Sequence, residues 1–177
     1  MTLRSRTFWI IVPVAAVLFL DRLTKNLAIE QLAGQPPREY AGGLLRLLYD
    51  ENPGVFLGLG SSIPEASRFW LFTVAVGVML AGLVASLLFR KTVTRGEVAA
   101  FAMIIGGGTG NLIDRIQYDG VVIDFLNIGV GSVRTGVFNV ADAAVIAGVL
   151  LYVVTQWLGE RGPSRAVGSP PAEPGGS

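Results

Sequence analysis

Histidine and cysteine are both missing from the 177 residues. Their absence removes disulfide frameworks, thiolate nucleophiles, Ser-His-Asp triads and the usual zinc sites together. Any chemistry therefore rests on carboxylates, hydroxyls, lysine, amides or water. A cysteine-free chain fits either side of a membrane, so the redox compartment stays open. Charge is scarce as well, at 15% of residues, against about 25% in soluble domains. Fourteen Lys+Arg against 13 Asp+Glu give a formal net charge of +1. That balance lacks the concentrated basic surface of a nucleic-acid binder.

Hydrophobic residues make up 51% of the chain, and they are clustered. Phe69 to Phe89 runs without a charge between Arg68 and Arg90, long enough for a helix that crosses a bilayer, which needs about 20 apolar residues. Phe8 to Ile29 (interrupted by Asp21), Val98 to Ile113 and Val137 to Leu158 (interrupted by Asp142) are similar. The reading is an all-α polytopic membrane protein with four transmembrane helices, at about 8–29, 68–89, 97–116 and 138–158. A soluble core enclosing four such helices would need a longer chain. One domain over 1–159 is expected, with a disordered Pro/Gly/Ser-rich tail over 160–177.

Basic residues set the orientation. Arg4 and Arg6, then Arg90, Lys91 and Arg95, then Arg161 and Arg165 all fall on one side of an up-down topology. Both termini are expected in the cytoplasm, with 31–67 and 117–136 outside. The start resembles a secretory signal peptide, but no small-residue cleavage site follows, so an uncleaved first span is expected. In the first outer segment, the apolar pieces Leu44 to Tyr49 and Val55 to Leu57 flank a Pro53-Gly54 turn, which suggests short strands on the membrane surface. The second, around Val121 to Val137, holds Gly120, Gly129, Gly131 and Gly136 and is expected to form a mobile, turn-rich periplasmic flap.

Ionisable side chains in membrane helices cost about 2.5–3.5 kcal/mol at mid-helix and face protein or water. Asp21 and Lys25, four apart on the first span, can pair. Asn111, Asp114 and Arg115 close the third span, and Asn139 and Asp142 open the fourth, so three helices bring polar groups to one level. The second span brings none and reads as scaffold. The run Gly106-Gly107-Gly108-Thr109-Gly110 lacks the strand and Lys-Ser/Thr of a phosphate loop, so it reads as close helix packing. Asp124 and Asp142 have no basic residue at helical spacing and sit among apolar neighbours. Two such carboxylates brought together would share one proton and supply an acid and a base. Taken singly, each could instead be a turn or helix cap.

Five segments in order resemble the motifs of lipoprotein signal peptidase (signal peptidase II), the four-span aspartic peptidase of bacteria. Asp21 to Lys25 is similar to D-x-x-[ST]-K, and Asn52-Pro53-Gly54 to N-x-G. Gly107 to Arg115 resembles G-G-x-x-G-N-x-x-D-R, Val122 to Phe125 resembles V-x-D-F, and Phe138 to Asp142 resembles F-N-x-A-D. The resemblance implies that Asp124 and Asp142 are the catalytic pair. It implies that Asn111, Arg115 and Asn139 hold them and the substrate backbone, with Asp21, Lys25, Asn52, Gly54, Gly107 and Asp114 in support. It further implies a substrate of diacylglyceryl-modified prolipoprotein, cut just before the lipidated cysteine, in contact with membrane lipid. No metal or other cofactor, inhibition by globomycin and a monomeric state are also expected. Two departures stand out: Val55-Phe56-Leu57 replaces the usual Ala-Ala/Ser-Phe, and Arg134-Thr135-Gly136-Val137 stands where Trp-Pro is common.

Two other classes fit the composition. An ion relay would need polar residues through the full depth, yet Val145 to Val154 is apolar. A noncatalytic assembly subunit would use its charges to fix helix register, and charge-pair swaps would preserve its function.

Overall fold

The computed structural model describes residues 3–54, 64–90 and 92–160. Val55-Phe56-Leu57, Lys91, Arg161, Arg165 and the tail lie outside them. Four long helices are present: α1 (Leu3–Leu32), α2 (Glu65–Phe89), α3 (Arg95–Gln117) and α4 (Val140–Glu160). Each contains a stretch long and apolar enough to cross a membrane: Thr7–Leu32, Phe69–Phe89, Arg95–Gln117 and Val140–Gly159. Between them lie strands β1 (Arg38–Tyr40), β2 (Leu45–Asn52), β3 (Val122–Val130) and β4 (Val133–Arg134). They form one antiparallel sheet in the order β1-β2-β3-β4.

The central helix is α3, which packs against α1, α2 and α4, whereas α2 packs on α3 alone among the described elements. The glycine run explains how one helix serves three neighbours. Gly106 faces Val14 and Val17 of α1, Gly107 faces Ala141 and Val145 of α4, and Gly108 faces Leu80 of α2. A Cβ at Gly106 would lie 2.9 Å from Val17 Cβ, and one at Gly108 2.7 Å from Leu80 Cδ2. The run is thus a packing device, as its sequence suggests. The outward faces of α1 and α2 keep Phe8, Phe19, Trp70, Val78 and Phe89 exposed, in keeping with a lipid surround.

Helix ends are set by local chemistry. Thr94 and Glu97 form a reciprocal capping box at the start of α3, each side chain accepting from the other's backbone N–H. A core of Leu87, Val98, Phe101 and Ile105 packs beside that end, with Tyr152 stacked 5.1 Å from Phe101. At the opposite end Ala28, Leu32 and Phe125 join α1 to the sheet.

The sheet departs from the sequence reading in two places. Asp50-Glu51-Asn52, beyond the apolar piece expected to end at Tyr49, continue β2, because Asp124, Ile123 and Val122 of β3 offer them ladder partners. Pairing with a neighbour outweighs local turn preference here. The extra residue this costs β2 is taken up by an irregularity between Leu47 and Asp50, opposite β3. The segment expected as a turn-rich flap is mostly strand: Val122–Val130 pairs with β2 on one side, and Leu126 bridges Phe138 on the other. Its Val, Ile and Phe content favours a pleated, half-buried surface over the glycine signal.

Candidate active site

The polar residues of three helices and the sheet converge at the end of the bundle where α1 and α3 finish and α4 begins. At their centre is Asn139, fully buried just before α4. Its Nδ2 donates to Asp124 Oδ1 at 2.7 Å and to Asn111 Oδ1 at 3.0 Å. Its Oδ1 accepts from the Asp142 backbone N–H at 2.9 Å, while its own N–H donates to Asp142 Oδ2 at 3.1 Å. Asn139 and Asp142 therefore cap α4 reciprocally, and the same asparagine touches Asp124. The capping role expected as the plain alternative for Asp142 is real, but it occupies one carboxylate oxygen. The other, Oδ1, accepts from Asn111 Nδ2 at 2.7 Å.

Asp124 projects from β3 and is 1% exposed. Its Oδ2 accepts from Asn52 Nδ2 at 2.9 Å. Asn52 is itself held by a turn, since its Oδ1 accepts from Gly54 N–H at 2.9 Å. Gly54 has φ +82, and a Cβ there would press on the ring of Phe72 at 3.3 Å. The Asn-x-Gly spacing is thus explained by a side chain that folds back on its own backbone while its amide reaches the carboxylate. Burial, reinforced by Asp142 nearby, pushes the Asp124 carboxyl up to about 7, against the pull of hydrogen bonds from Asn52 and Asn139.

Beneath lies a buried charge cluster. Lys25 Nζ sits 2.8 Å from Asp21 Oδ2 and 2.7 Å from Asp114 Oδ2, and donates to Asn111 Oδ1 at 3.0 Å. The sequence pairs Lys25 with Asp21; the structure adds Asp114 and Asn111 as equal partners. Asp21 Oδ1 accepts from Ala141 N–H at 3.0 Å and so binds the start of α4 to α1. Asp114 Oδ2 accepts from Ile123 N–H at 3.2 Å, tying the strand that carries Asp124 to α3. Arg115, half-buried, donates from Nη1 to its own helix at Asn111 O, 3.4 Å away, and its Nε is buried without a hydrogen bond. Gly107 stands apart from these polar contacts and serves the α3–α4 contact.

Two contributors go beyond the site residues read from sequence. Arg22 closes the cluster, 3.1 Å from Asp114 Oδ1; its signal was a second cation beside Asp21 in an apolar span. Gly110 leaves room for Asp21, whose Oδ2 would lie 2.6 Å from an added Cβ. Among the described residues no group of three or more Asp, Glu, His or Cys is placed to hold a metal ion. At the other end of the bundle Arg90 lies 3.5 Å from Glu97.

Four helices long and apolar enough to cross a membrane, with carboxylates and amides gathered at one end, define a polytopic membrane protein. The model of the family described as Signal peptidase (SPase) II matches residues 13–158. This chain belongs to that family of peptidases. It is 37% identical over 142 residues to a lipoprotein signal peptidase of Sphingopyxis alaskensis, covering 78% of this chain and 80% of that one. A lipoprotein signal peptidase of a Methylobacterium species is 38% identical over 151 residues, covering 84% and 88%. A bacterial membrane enzyme solved by the in meso method at 2.3 Å resolution shares the fold, with TM-score 0.74 and 21% identity over 90% of this chain and 93% of that one.

Proposed function

We propose that the protein is a membrane-embedded aspartic endopeptidase that removes the signal peptide from diacylglyceryl-modified prolipoproteins, cutting just before the lipidated cysteine. The observation that carries the reading is the pair Asp124 and Asp142 joined through one buried amide, Asn139. The shared proton is assigned to Asp124, whose carboxyl burial pushes up to about 7. Asp142 then acts as the carboxylate that takes a proton from water as the water oxygen attacks the scissile carbonyl. Asp124 gives its proton to the carbonyl oxygen in the same step. When the C–N bond breaks, the proton on Asp142 passes to the leaving amine, and a hydroxyl proton of the tetrahedral species returns to Asp124. No bond to the protein forms.

Asn111 and Asn139 hold the two carboxylates at fixed orientation, Asn52 supports Asp124, and Arg115 engages the peptide backbone. Arg90 and Arg95, at the opposite end of the bundle, support cytoplasmic termini and a site at the outer surface of a bacterial cell membrane, where lipid chains of the substrate lie between spans. Inhibition by globomycin and action as a monomer belong to the same reading. Purified protein with a diacylglyceryl-modified prolipoprotein tests the reading, comparing the parent with Asp124→Asn and Asp142→Asn. Loss of cleavage in both folded variants supports it; cleavage surviving either substitution, or a parent that never cuts, overturns it.

A further inference from the structure

The chain between the two aspartates contains the β3–β4 hairpin, and a single cation bonds across it. Arg134, in β4, donates to five acceptors and to no carboxylate. Its Nε donates to Asn127 Oδ1. Nη1 reaches Gly43 O at 2.8 Å and Gly129 O at 3.2 Å; Nη2 reaches Asn127 O at 3.1 Å and Leu44 O at 3.5 Å. One guanidinium thus ties the β1–β2 turn, β3 and β4 together, using the five donors that only arginine supplies.

The contact with Asn127 has a directional consequence. Because Arg134 claims Oδ1, the amide nitrogen of Asn127, a buried residue, faces the other way and donates to Thr135 O at 2.7 Å. Thr135 in turn pairs with Ile128, its N–H donating to Ile128 O at 2.7 Å and its Oγ1 accepting from Ile128 N–H at 3.0 Å. Three residues further on, Phe138 and Leu126 exchange backbone hydrogen bonds, both at 2.8 Å. Leu126 is two residues from Asp124, and Phe138 immediately precedes Asn139. Gly129 shows that close approach here is required: a Cβ on it would lie 2.6 Å from Arg134 Cγ.

We propose that Arg134 and Asn127 are positioning residues that set the spacing of Asp124 and Asp142 by closing the hairpin between them. This rests on the reading of those aspartates as the catalytic pair. A remote displacement of about 1 Å in reacting groups costs up to about 100-fold in rate. Loss of the guanidinium therefore lowers kcat while leaving KM largely unchanged, since Arg134 and Asn127 bond to the hairpin and the β1–β2 turn and to neither aspartate.

The test is steady-state cleavage of a diacylglyceryl-modified prolipoprotein by the full chain in detergent, well below the melting temperature of each variant. Arg134→Met keeps the stem and removes every donor. Arg134→Lys keeps the charge with fewer donors. Asn127→Asp keeps the Arg134 contact but replaces the donor to Thr135 O with an acceptor, so it remains informative should Arg134→Met fail to fold. Expected are falls in kcat of roughly 10–100-fold for Arg134→Met and Asn127→Asp, with KM within about twofold and Arg134→Lys intermediate. Amide exchange at Leu126, Ile128, Thr135 and Phe138 speeds up in the same variants, while α3 stays protected. A lowered melting temperature with kcat within about twofold of the parent overturns the proposal and leaves a purely structural clamp. Failure of the catalytic-pair reading is recognised separately, by cleavage persisting in Asp124→Asn.

Discussion

Replacing Lys25 by Met tests whether the charge cluster beneath the site is a source of stability. The ammonium is fully buried and lies 2.8 Å from Asp21 and 2.7 Å from Asp114. With Arg22 the cluster holds two cations and two anions, and Arg22 is 30% exposed. Removing Lys25 leaves two buried carboxylates facing one partly solvated guanidinium. Breaking a buried pair by deleting one partner costs on the order of 3–5 kcal/mol, and Asn111 loses a donor as well. Two carboxylates depend on this one ammonium, so the upper part of that range is expected. The assay is equilibrium unfolding of purified protein in mixed detergent micelles, for Lys25→Met, Asp21→Asn and the double variant. The double variant should recover part of the loss, with a coupling of about 1–3 kcal/mol, because Asn at 21 can still accept from Ala141 N–H. A cost below about 1 kcal/mol for Lys25→Met, the worth of an exposed pair, would refute the reasoning.

Two further outcomes follow from single residues. Asp124, with its carboxyl raised to about 7, binds a proton in the folded state that the unfolded chain releases near its ordinary 3.8, so stability falls as pH rises between those values, by on the order of 4 kcal/mol in all. Asp124→Asn should flatten that slope in pH-dependent unfolding, and kcat/KM of the parent should decline above about pH 7 as the shared proton is lost; a profile flat to pH 9 or beyond contradicts both. Gly107→Ala drives a Cβ into the carbonyl oxygen of Ala141 and to 2.9 Å from Val145 Cγ2, costing about 1–3 kcal/mol or more because backbone must move. Gly136→Ala, with nothing within 4 Å, should be near neutral in the same melt, and equal effects of the two would remove the close-packing account.

The helices and the site were legible in the sequence for one reason: a polar group in an apolar span is costly, so each instance carries information. Asp21, Lys25, Asn111, Asp114, Asn139 and Asp142 stand out against their neighbours, and helical spacing puts them at one end. What spacing does not reveal is partner choice across elements. Lys25 has Asp21 at four residues, but its shortest ion pair is to Asp114 on another helix. The sheet was less legible, because its register depends on non-local pairing. Asp50-Glu51-Asn52 carries no apolar strand pattern, and its place in β2 follows only once β3 lies beside it. Arg134 stood out only as part of a departure from the family pattern, since a cation in a connecting segment is unremarkable until its acceptors are known to be backbone carbonyls of the β1–β2 turn and β3.

Asp142 shows why the structural and chemical readings of this site cannot be separated. One of its oxygens caps α4 through Asn139 N–H, and the other accepts from Asn111. The cap fixes the side chain's rotamer, and the fixed rotamer is what lets Asn111 and Asn139 orient the carboxylate relative to Asp124. A substitution that preserved the cap but lost the charge would therefore keep the helix start while abolishing proton transfer. Asp142→Asn is that substitution, because its side-chain oxygen can still accept from Asn139 N–H. It should be inactive at a cost of only about 1–3 kcal/mol, the loss of the acceptor that Asn111 Nδ2 now meets. Destabilisation by Asp142→Asn as large as that of Lys25→Met would instead place the carboxylate's charge among the forces holding the fold, which its two amide partners and capped helix start argue against.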